Sequence, residues 1–237
     1  MDVRKTAEEV TTDPSRIDEV ILKSTVEQFK ELINIFEKKE FSQVVYDTKQ
    51  PAKARLGAAT ISFLSGSEES KNFYKLIMSE KDKEFRLGMA KLLWEYRGAD
   101  VELLAVINNE KEDSKLRAEI IRSFITSGIS TKEAVEAYRM AFFHMSPEVK
   151  EAGIDAIGRF KIKDKQIVDG LMKLLDSSSF GLRYSAVSAL GDLGVAEAAP
   201  RLKEMMLKDP VDAIREACQE SCRIIESMKA GPKPERM

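Results

Sequence analysis

The stretch FGLRYSAVSALGDLG, residues 180–194, has the pattern of an amphipathic helix with one arginine, Arg183, near its start. Apolar or small residues stand at offsets of −1, +3, +7 and +10 from Arg183. These offsets lie on one side of a helix with about 3.6 residues per turn. The stretch therefore predicts a helix that buries one face. Its arginine could serve catalysis, a ligand or the architecture, and the rest of the chain decides among these roles.

Five other segments align with this stretch without gaps. The aligned cations are Arg55, Arg86, Arg117, Lys150, Arg183 and Arg215. Successive cations are 31, 31, 33, 33 and 32 residues apart. Segments with helical periodicity, such as 130–145 and 163–176, separate them, and no segment shows the alternation typical of a strand. We call the two helices of each unit A and B, with the cation on B. Such hairpins bury their apolar faces only by stacking, which predicts a repeat fold.

The residues of the fifth unit identify the type of repeat. LRYSAVSALGDLG, residues 182–194, resembles the short HEAT-like repeats of the phycobilisome-lyase type, in which V-R-x-x-A-x-x-A-L-G-x-L-G follows an acid at the A–B turn. Asp176 and Asp209 look like turn acids. The resemblance covers about residues 41–228 and departs from the pattern at Lys150, which replaces arginine. It implies an all-α fold, a right-handed α-solenoid of about six helical hairpins.

The ends of the chain differ from the repeats. We expect a flexible N-terminus over residues 1–13 and a helical cap over residues 14–40, which begins at Asp13-Pro14. Residues 41–228 form the six repeats, so that 14–228 make a single solenoid domain. Residues 229–237 carry two prolines and no apolar periodicity, which predicts a disordered tail.

Six evenly spaced copies of one cation cannot belong to a single catalytic centre. The resemblance implies that these residues pair with turn acids and with backbone carbonyls, and so tie each repeat to the next. The other chemistry-bearing residue types are few. His144 is the one histidine, and no partner motif marks it as a general base; its place at the end of a helix suits a cation. We therefore predict no catalytic residue.

Metal and cofactor sites are not expected. Deoxyhypusine hydroxylase has similar repeats but binds two irons through several histidines, and one histidine cannot supply them. Cys218 and Cys222 lie four residues apart on the buried stripe of the last B helix, where a disulfide is poorly placed. Small core residues are the simpler interpretation, with a redox pair or half of a metal site as alternatives.

Composition limits the class of partner. The chain has 237 residues and a formal net charge of −2, so it has no general attraction for nucleic acids or anionic membranes. No run approaches the length of about 18 apolar residues that a membrane span needs, and the first residues contain no apolar secretory core. These features and the two cysteines predict a cytoplasmic protein with no nucleic-acid partner and no membrane partner.

A partner surface is predicted on the B helices. In a solenoid the B helices line the concave face, and several side chains there are apolar or basic in the first three repeats. The candidate partner-binding residues are Leu56, Phe63, Leu87, Lys91, Trp94, Arg122 and Ile125. Exposed side chains of this kind mark interaction sites. The alternative is that curvature or the N-terminal helix covers them.

These observations predict a non-catalytic HEAT-repeat scaffold or adaptor that binds a protein or peptide on its concave surface. The first alternative is an enzyme, or an enzyme subunit, that resembles the bilin lyases and acts on tetrapyrrole–protein conjugates. The second is a HEAT-like protein that binds or repairs DNA. That class resembles a basic cradle with exposed tryptophans, whereas this chain is acidic and has one tryptophan.

Overall fold

A computed structural model describes residues 2–36, 41–92 and 100–230. Every regular element within these ranges is a helix, which confirms the predicted all-α, α-solenoid class of fold. The chain divides into two compact units, residues 1–106 and 107–237. The boundary lies in α8, residues Asp100–Asn108, which is the A helix of the third repeat.

The first unit contains the N-terminal helices and the first two repeats. Its α-helices are α1 (Val3–Thr12), α2 (Ile17–Lys23), α3 (Val26–Phe36), α4 (Ser42–Tyr46), α5 (Ala52–Leu64), α6 (Tyr74–Ser79) and α7 (Lys83–Lys91). Helices α4 and α5 form the first hairpin, and α6 and α7 form the second. Phe73 and Phe85 are fully buried between these helices. Each such side chain contributes about 1.5–3 kcal/mol through burial.

The N-terminal residues are more ordered than the sequence predicts. Residues 1–13 are expected to be flexible, but α1 forms there, with Asp2 as its N-cap accepting from the backbone N–H of Lys5 at 3.1 Å. The physical reason is that helical spacing brings Ala7 and Val10 onto one side, where both are buried. The helix packs against α3.

A 3-10 turn at Pro14–Arg16 packs on α5. The contact is so close that a Cβ built on Gly57 would lie 1.9 Å from the carbonyl oxygen of Pro14. Glycine at this position lets the backbone of the N-terminal segment reach the first B helix. The segment after Asp13-Pro14 is thus helical and rests on the first repeat, as its sequence indicates.

The second unit contains the B helix of the third repeat and the three repeats that follow. Its helices are α9 (Ser114–Ser127), α10 (Lys132–Phe142), α11 (Pro147–Arg159), α12 (Lys165–Leu174), α13 (Phe180–Asp192), α14 (Ala199–Lys208) and α15 (Asp212–Ala230). Asp113, Asp164 and Ser179 cap the N-termini of α9, α12 and α13 with their side chains. Such caps satisfy backbone N–H groups that have no partner within the helix.

Adjacent helices of the second unit pack as stacked hairpins. Helix α11 contacts its own A helix α10 and the neighbouring B helices α9 and α13, and α13 contacts α15 in the same way. The Ser221 hydroxyl of α15 donates to the carbonyl oxygen of Val187 on α13 at 3.0 Å. The B helices therefore form one layer, and their outward side chains share one surface. Helix α15 extends to Ala230, while residues 231–237 of the predicted tail lie outside the described residues.

Candidate functional site

The repeat cations are bound by the repeats themselves, and Arg55 on α5 shows how. Its Nε donates to the carbonyl oxygen of Val45 at 2.8 Å, and its Nη2 donates to Glu80 Oε1 at 2.7 Å. The side chain is 3% exposed, and the guanidinium carbon lies 3.9 Å from the centre of the Phe85 ring. Val45 ends the A helix of the same repeat, and Glu80 lies in the A–B turn of the next. The arginine therefore joins two consecutive repeats.

Arg183 makes the same connection in the second unit. Its Nη1 donates to the carbonyl oxygen of Ser177 at 2.8 Å, and its Nε donates to Asp209 Oδ2 at 3.3 Å. The backbone carbonyl of Asp209 also accepts from Arg215 Nη1 at 2.7 Å. Asp209 is thus the turn acid that the sequence predicts, and it serves two successive cations.

At Arg117 a histidine stands where the other connections have a carboxylate. Arg117 Nε donates to the carbonyl oxygen of Ile107 at 2.7 Å, and its Nη1 lies 3.0 Å from His144 Nε2. The Ser146 backbone N lies 3.0 Å from His144 Nδ1. A neutral imidazole has one unprotonated nitrogen, so His144 accepts from Arg117 or from Ser146 but not from both at once. Burial lowers the pKa of His144 below its usual value, and the charges of Arg117 and Lys150 also lower it. The neutral imidazole is favoured here, in contrast to the cation that its place after α10 predicts.

The second repeat keeps the bond to a backbone carbonyl, whereas the fourth departs from this arrangement. Arg86 Nε donates to the carbonyl oxygen of Ile77, as expected. Asp176, which looks like a turn acid in the sequence, accepts from Arg201 Nη2 at 2.5 Å. Lysine has fewer N–H donors than arginine and lacks the planar guanidinium group. It is therefore less able to bind a backbone carbonyl and a carboxylate at the same time. Within the described ranges the repeat cations are distributed along the chain, each close to its own turn, and do not share a cleft.

The two cysteines are free and buried. Burial raises the pKa of Cys218 to about 11 and raises that of Cys222 as well. A thiol becomes a nucleophile or a metal ligand as its thiolate, which these environments disfavour. They act as small core residues of α15. No group of three or more His, Cys, Asp or Glu residues in the described parts of the chain is arranged to hold a metal ion.

The candidate partner-binding residues of the first unit are only partly available. Leu56 is half-buried because its side chain lies against the backbone of α7, where a Cβ on Gly88 would be 2.3 Å from Leu56 Cδ1. Phe63 turns toward the hairpin interior, with its ring centre 5.6 Å from that of buried Phe73. Leu87 is half-buried, and Lys91 is exposed.

The other three candidate partner-binding residues do not lie on the described part of the first unit. Arg122 and Ile125 are half-buried on α9 in the second unit, and Arg122 lies 3.7 Å from Glu119. Trp94 lies outside the described residues. The structure thus brings Leu56 against α7, the helix that carries Leu87 and Lys91, and places Arg122 with Ile125 on another helix.

The candidate residues predicted from sequence do not include an exposed aromatic pair on α13. Phe180 and Tyr184 lie one turn apart on α13, 48% and 42% exposed, with ring centres 5.9 Å apart. Large aromatic side chains are normally buried, so an exposed pair on a repeat helix is notable. The signal was available: Tyr184 stands one residue after the repeat arginine, at an outward position, and Phe180 precedes it by one turn.

Carboxylates lie beside these rings on α11. The Glu151 carboxylate rests on the first turn of α13, since a Cβ built on Gly181 would lie 2.1 Å from Glu151 Oε1. Desolvation raises the pKa of Glu151, Arg122 opposes this, and Asp155 adds to it. Desolvation likewise raises the pKa of Asp155, although the Ser185 hydroxyl and Arg122 lower it.

Acidic residues continue on the next B helix. Glu216 and Glu220 of α15 are exposed at the positions equivalent to Tyr184 and Ser188 of α13. We call the surface formed by Glu151, Asp155, Phe180, Tyr184, Glu216 and Glu220 the acidic-aromatic face. Carboxylates and aromatic rings in this combination can bind cationic groups, through charge and through the electron-rich faces of the rings.

Comparison with known proteins supports the assignment of the repeats. Residues 138–223 match the family of HEAT repeats. An engineered protein has the same fold at a TM-score of 0.55 and 15% identity, over 97% of this chain and 71% of that chain. A second engineered protein matches at a TM-score of 0.52 and 13% identity, over 81% and 96% of the two chains.

The complex of CpcE and CpcF of phycocyanin lyase from Nostoc sp. PCC7120 matches at a TM-score of 0.53 and 21% identity. The match covers 68% of this chain and 66% of that chain. At this identity the likeness is one of fold. Among curated proteins there is no significant match. No helix in the described ranges is long and apolar enough to span a bilayer. The HEAT-repeat match thus covers residues 138–223, and the fold of the chain is similar to that of the lyase complex and of the engineered proteins.

Proposed function

We propose that this protein is a non-catalytic scaffold or adaptor that binds a protein or peptide partner on its B helices. Repeat proteins of this fold commonly bind proteins or peptides. The observation that carries the proposal is the exposed pair Phe180 and Tyr184 on a rigid B helix. Aromatic side chains, tyrosine above all, supply much of the binding energy of protein interfaces.

The acidic-aromatic face is the primary contact in this proposal. Its rings are exposed, and its helices are fixed by the connections at Arg183 and by the bond between Ser221 and Val187. A surface held in place loses little conformational entropy when a partner binds. Among the residues predicted from sequence, exposed Lys91 and half-buried Leu87 offer a second contact on the first unit. We also place the protein in the cytoplasm, because two free, buried cysteines suit a reducing compartment.

The test is affinity capture from cells that produce this protein, with three baits. These are the wild type, Tyr184→Ala and the matched control Leu207→Ala, which removes a side chain that is 76% exposed on the A helix α14. We expect a partner that the wild type and Leu207→Ala retain and that Tyr184→Ala loses. The same captured proteins with all three baits would contradict a role for this face. Circular dichroism of each bait shows that it is folded.

A further inference from the structure

Two carboxylates of the acidic-aromatic face, those of Glu151 and Asp155, differ from the paired carboxylates of the second unit, whereas Glu220 of the same face lies 3.4 Å from Arg223. Asp209 pairs with Arg183, and Asp164 pairs with Arg139. Among the described residues, no cation lies within ion-pair distance of Glu151 or Asp155. Asp155 is exposed on the outward side of α11, so its charge is available to a ligand.

We propose that the partner contributes a segment with several lysine or arginine side chains, which lie on the rings of Phe180 and Tyr184 and pair with the carboxylates of Glu151 and Asp155. This inference rests on the proposed function and specifies the chemistry of its partner. Charge complementarity is the argument for this occupant. The face presents acidic groups on both sides of the ring pair, on α11 and on α15.

The rings favour a cation as well as an apolar group. The ring centres of Phe180 and Tyr184 lie 5.9 Å apart at an interplanar angle of 39°. The two rings are therefore tilted and do not stack on each other, so a ligand can contact their faces. A guanidinium group stacks on such faces, and its planar fork leaves N–H groups free for a carboxylate. Glu151 lies on Gly181, between the two aromatic positions along α13, within reach of a group held on the rings.

The spacing of the helices sets the spacing of the basic residues. Packed helices lie about 8–10 Å apart, and an extended peptide advances about 3.3 Å per residue. A peptide that crosses α11, α13 and α15 therefore meets a new helix about every third residue. We expect a cation at the carboxylates of α11, another at the rings of α13, and a third at Glu216, since Glu220 already pairs with Arg223. Nucleic acid is disfavoured because its phosphates would be repelled.

The experiment uses the full chain and a library of random 12-residue peptides displayed on phage. Enriched peptides are synthesised with a fluorophore, and their affinities are measured by fluorescence anisotropy for the wild type and for three variants. We expect enriched peptides to carry several lysine or arginine residues. Their affinity should fall about tenfold in Tyr184→Ala and about fivefold in Asp155→Asn, and should be unchanged in Leu207→Ala.

A second readout is the pH dependence of binding. Desolvation by neighbouring groups raises the pKa of both Glu151 and Asp155, so protonation removes their charge at a higher pH than for ordinary carboxyl groups. Affinity for a basic peptide should therefore fall as the pH is lowered from 7.5 to 5. The fall should be smaller in Asp155→Asn, which has already lost one of these charges.

Two outcomes overturn the inference in different ways. Enriched peptides that lack basic residues, but whose binding Tyr184→Ala weakens, would show that the face binds a partner of another chemistry, so the proposed function would stand without this inference. Enrichment of peptides that bind all variants equally, or no enrichment at all, would remove both.

Discussion

Carboxylates occupy two regions of the second unit and are treated differently there. At the A–B turns the carboxylates accept hydrogen bonds from within the fold. One carboxylate oxygen of Asp209 accepts from Arg183, and the other accepts from the Val211 backbone N–H at 3.0 Å. On the B-helix layer, Glu151 and Asp155 lie beside exposed rings, and desolvation by neighbouring groups raises their pKa values. The same residue type is thus a structural link in one region and an available charge in the other.

The difference teaches how to separate architecture from function in a repeat protein. A structural side chain has a buried ion-pair or hydrogen-bond partner on a neighbouring repeat. Removing one member of a buried pair leaves the other unpaired, which costs about 3–5 kcal/mol in the free energy of unfolding. A side chain that the fold leaves unpaired can be removed at little cost. Stability and binding measurements should therefore respond to different residues.

The largest expected effect is the loss of a buried connection. Arg55→Ala removes the bonds to the Val45 carbonyl and to Glu80, and the contact with the Phe85 ring. We expect the free energy of unfolding to fall by about 3–4 kcal/mol, measured by urea unfolding followed by circular dichroism. The control is Arg201→Ala.

Arg201 pairs with Asp176 and Glu204 but is 39% exposed, so its loss should cost less than about 1 kcal/mol. Equal losses for Arg55→Ala and Arg201→Ala would show that burial of the repeat cations does not distinguish them from ordinary surface pairs.

The next effect concerns the connection that uses a histidine. The folded pKa of His144 lies below its unfolded value of about 6.5. The neutral ring's contribution, a hydrogen bond worth about 1 kcal/mol, is therefore fully present above that value and is lost as the pH falls through the folded pKa. We expect the wild type to lose stability relative to His144→Gln between pH 7.5 and 5.5.

Glutamine can accept from Arg117 but does not titrate. The contributions of the other ionisable groups to the pH dependence of stability therefore cancel when the wild type is compared with His144→Gln. A difference that stays constant over this pH range, or that favours the wild type at low pH, would mean that His144 is not an uncharged link. The connections at Glu80 and Asp209 have no such histidine, which makes this repeat the pH-sensitive one.

The smallest expected effect on stability is at the acidic-aromatic face. Tyr184→Ala removes a side chain that is 42% exposed, and we expect its free energy of unfolding to stay within about 0.5 kcal/mol of the wild type. Thermal unfolding measures this. A loss of several kcal/mol would place Tyr184 in the core packing rather than in a binding surface.

The sequence predicts most of the architecture because the repeat makes each feature visible several times. Arg183 was identified from register and the turn acid Asp209 from the resemblance to HEAT-like repeats, and the two are paired in the structure. Helix α1 was missed because its polar composition hides the two buried residues Ala7 and Val10. Asp176 was identified only as a turn acid; its partner, Arg201, comes from the next A helix, and that contact depends on tertiary packing.

The candidate site was harder to predict than the fold. Helical offsets show which residues point outward but not how neighbouring helices cover them, so Phe63, which packs on Phe73, was indistinguishable from an exposed residue. Tyr184 was placed at an outward position by the same offsets. Its importance depends on exposed Phe180 beside it and on unpaired Glu151, and both facts depend on the packing of α11 against α13.

The most direct test compares Asp209→Asn with Asp155→Asn in the same two measurements, the free energy of unfolding and the affinity for a peptide selected on the wild type. We predict that Asp209→Asn lowers stability by about 2 kcal/mol and leaves affinity unchanged, because Asp209 is bound to Arg183. Asp155→Asn should leave stability within about 0.5 kcal/mol and weaken binding several-fold. If both variants lose stability alike, or if Asp209→Asn is the one that weakens binding, the division between structural and binding carboxylates is contradicted.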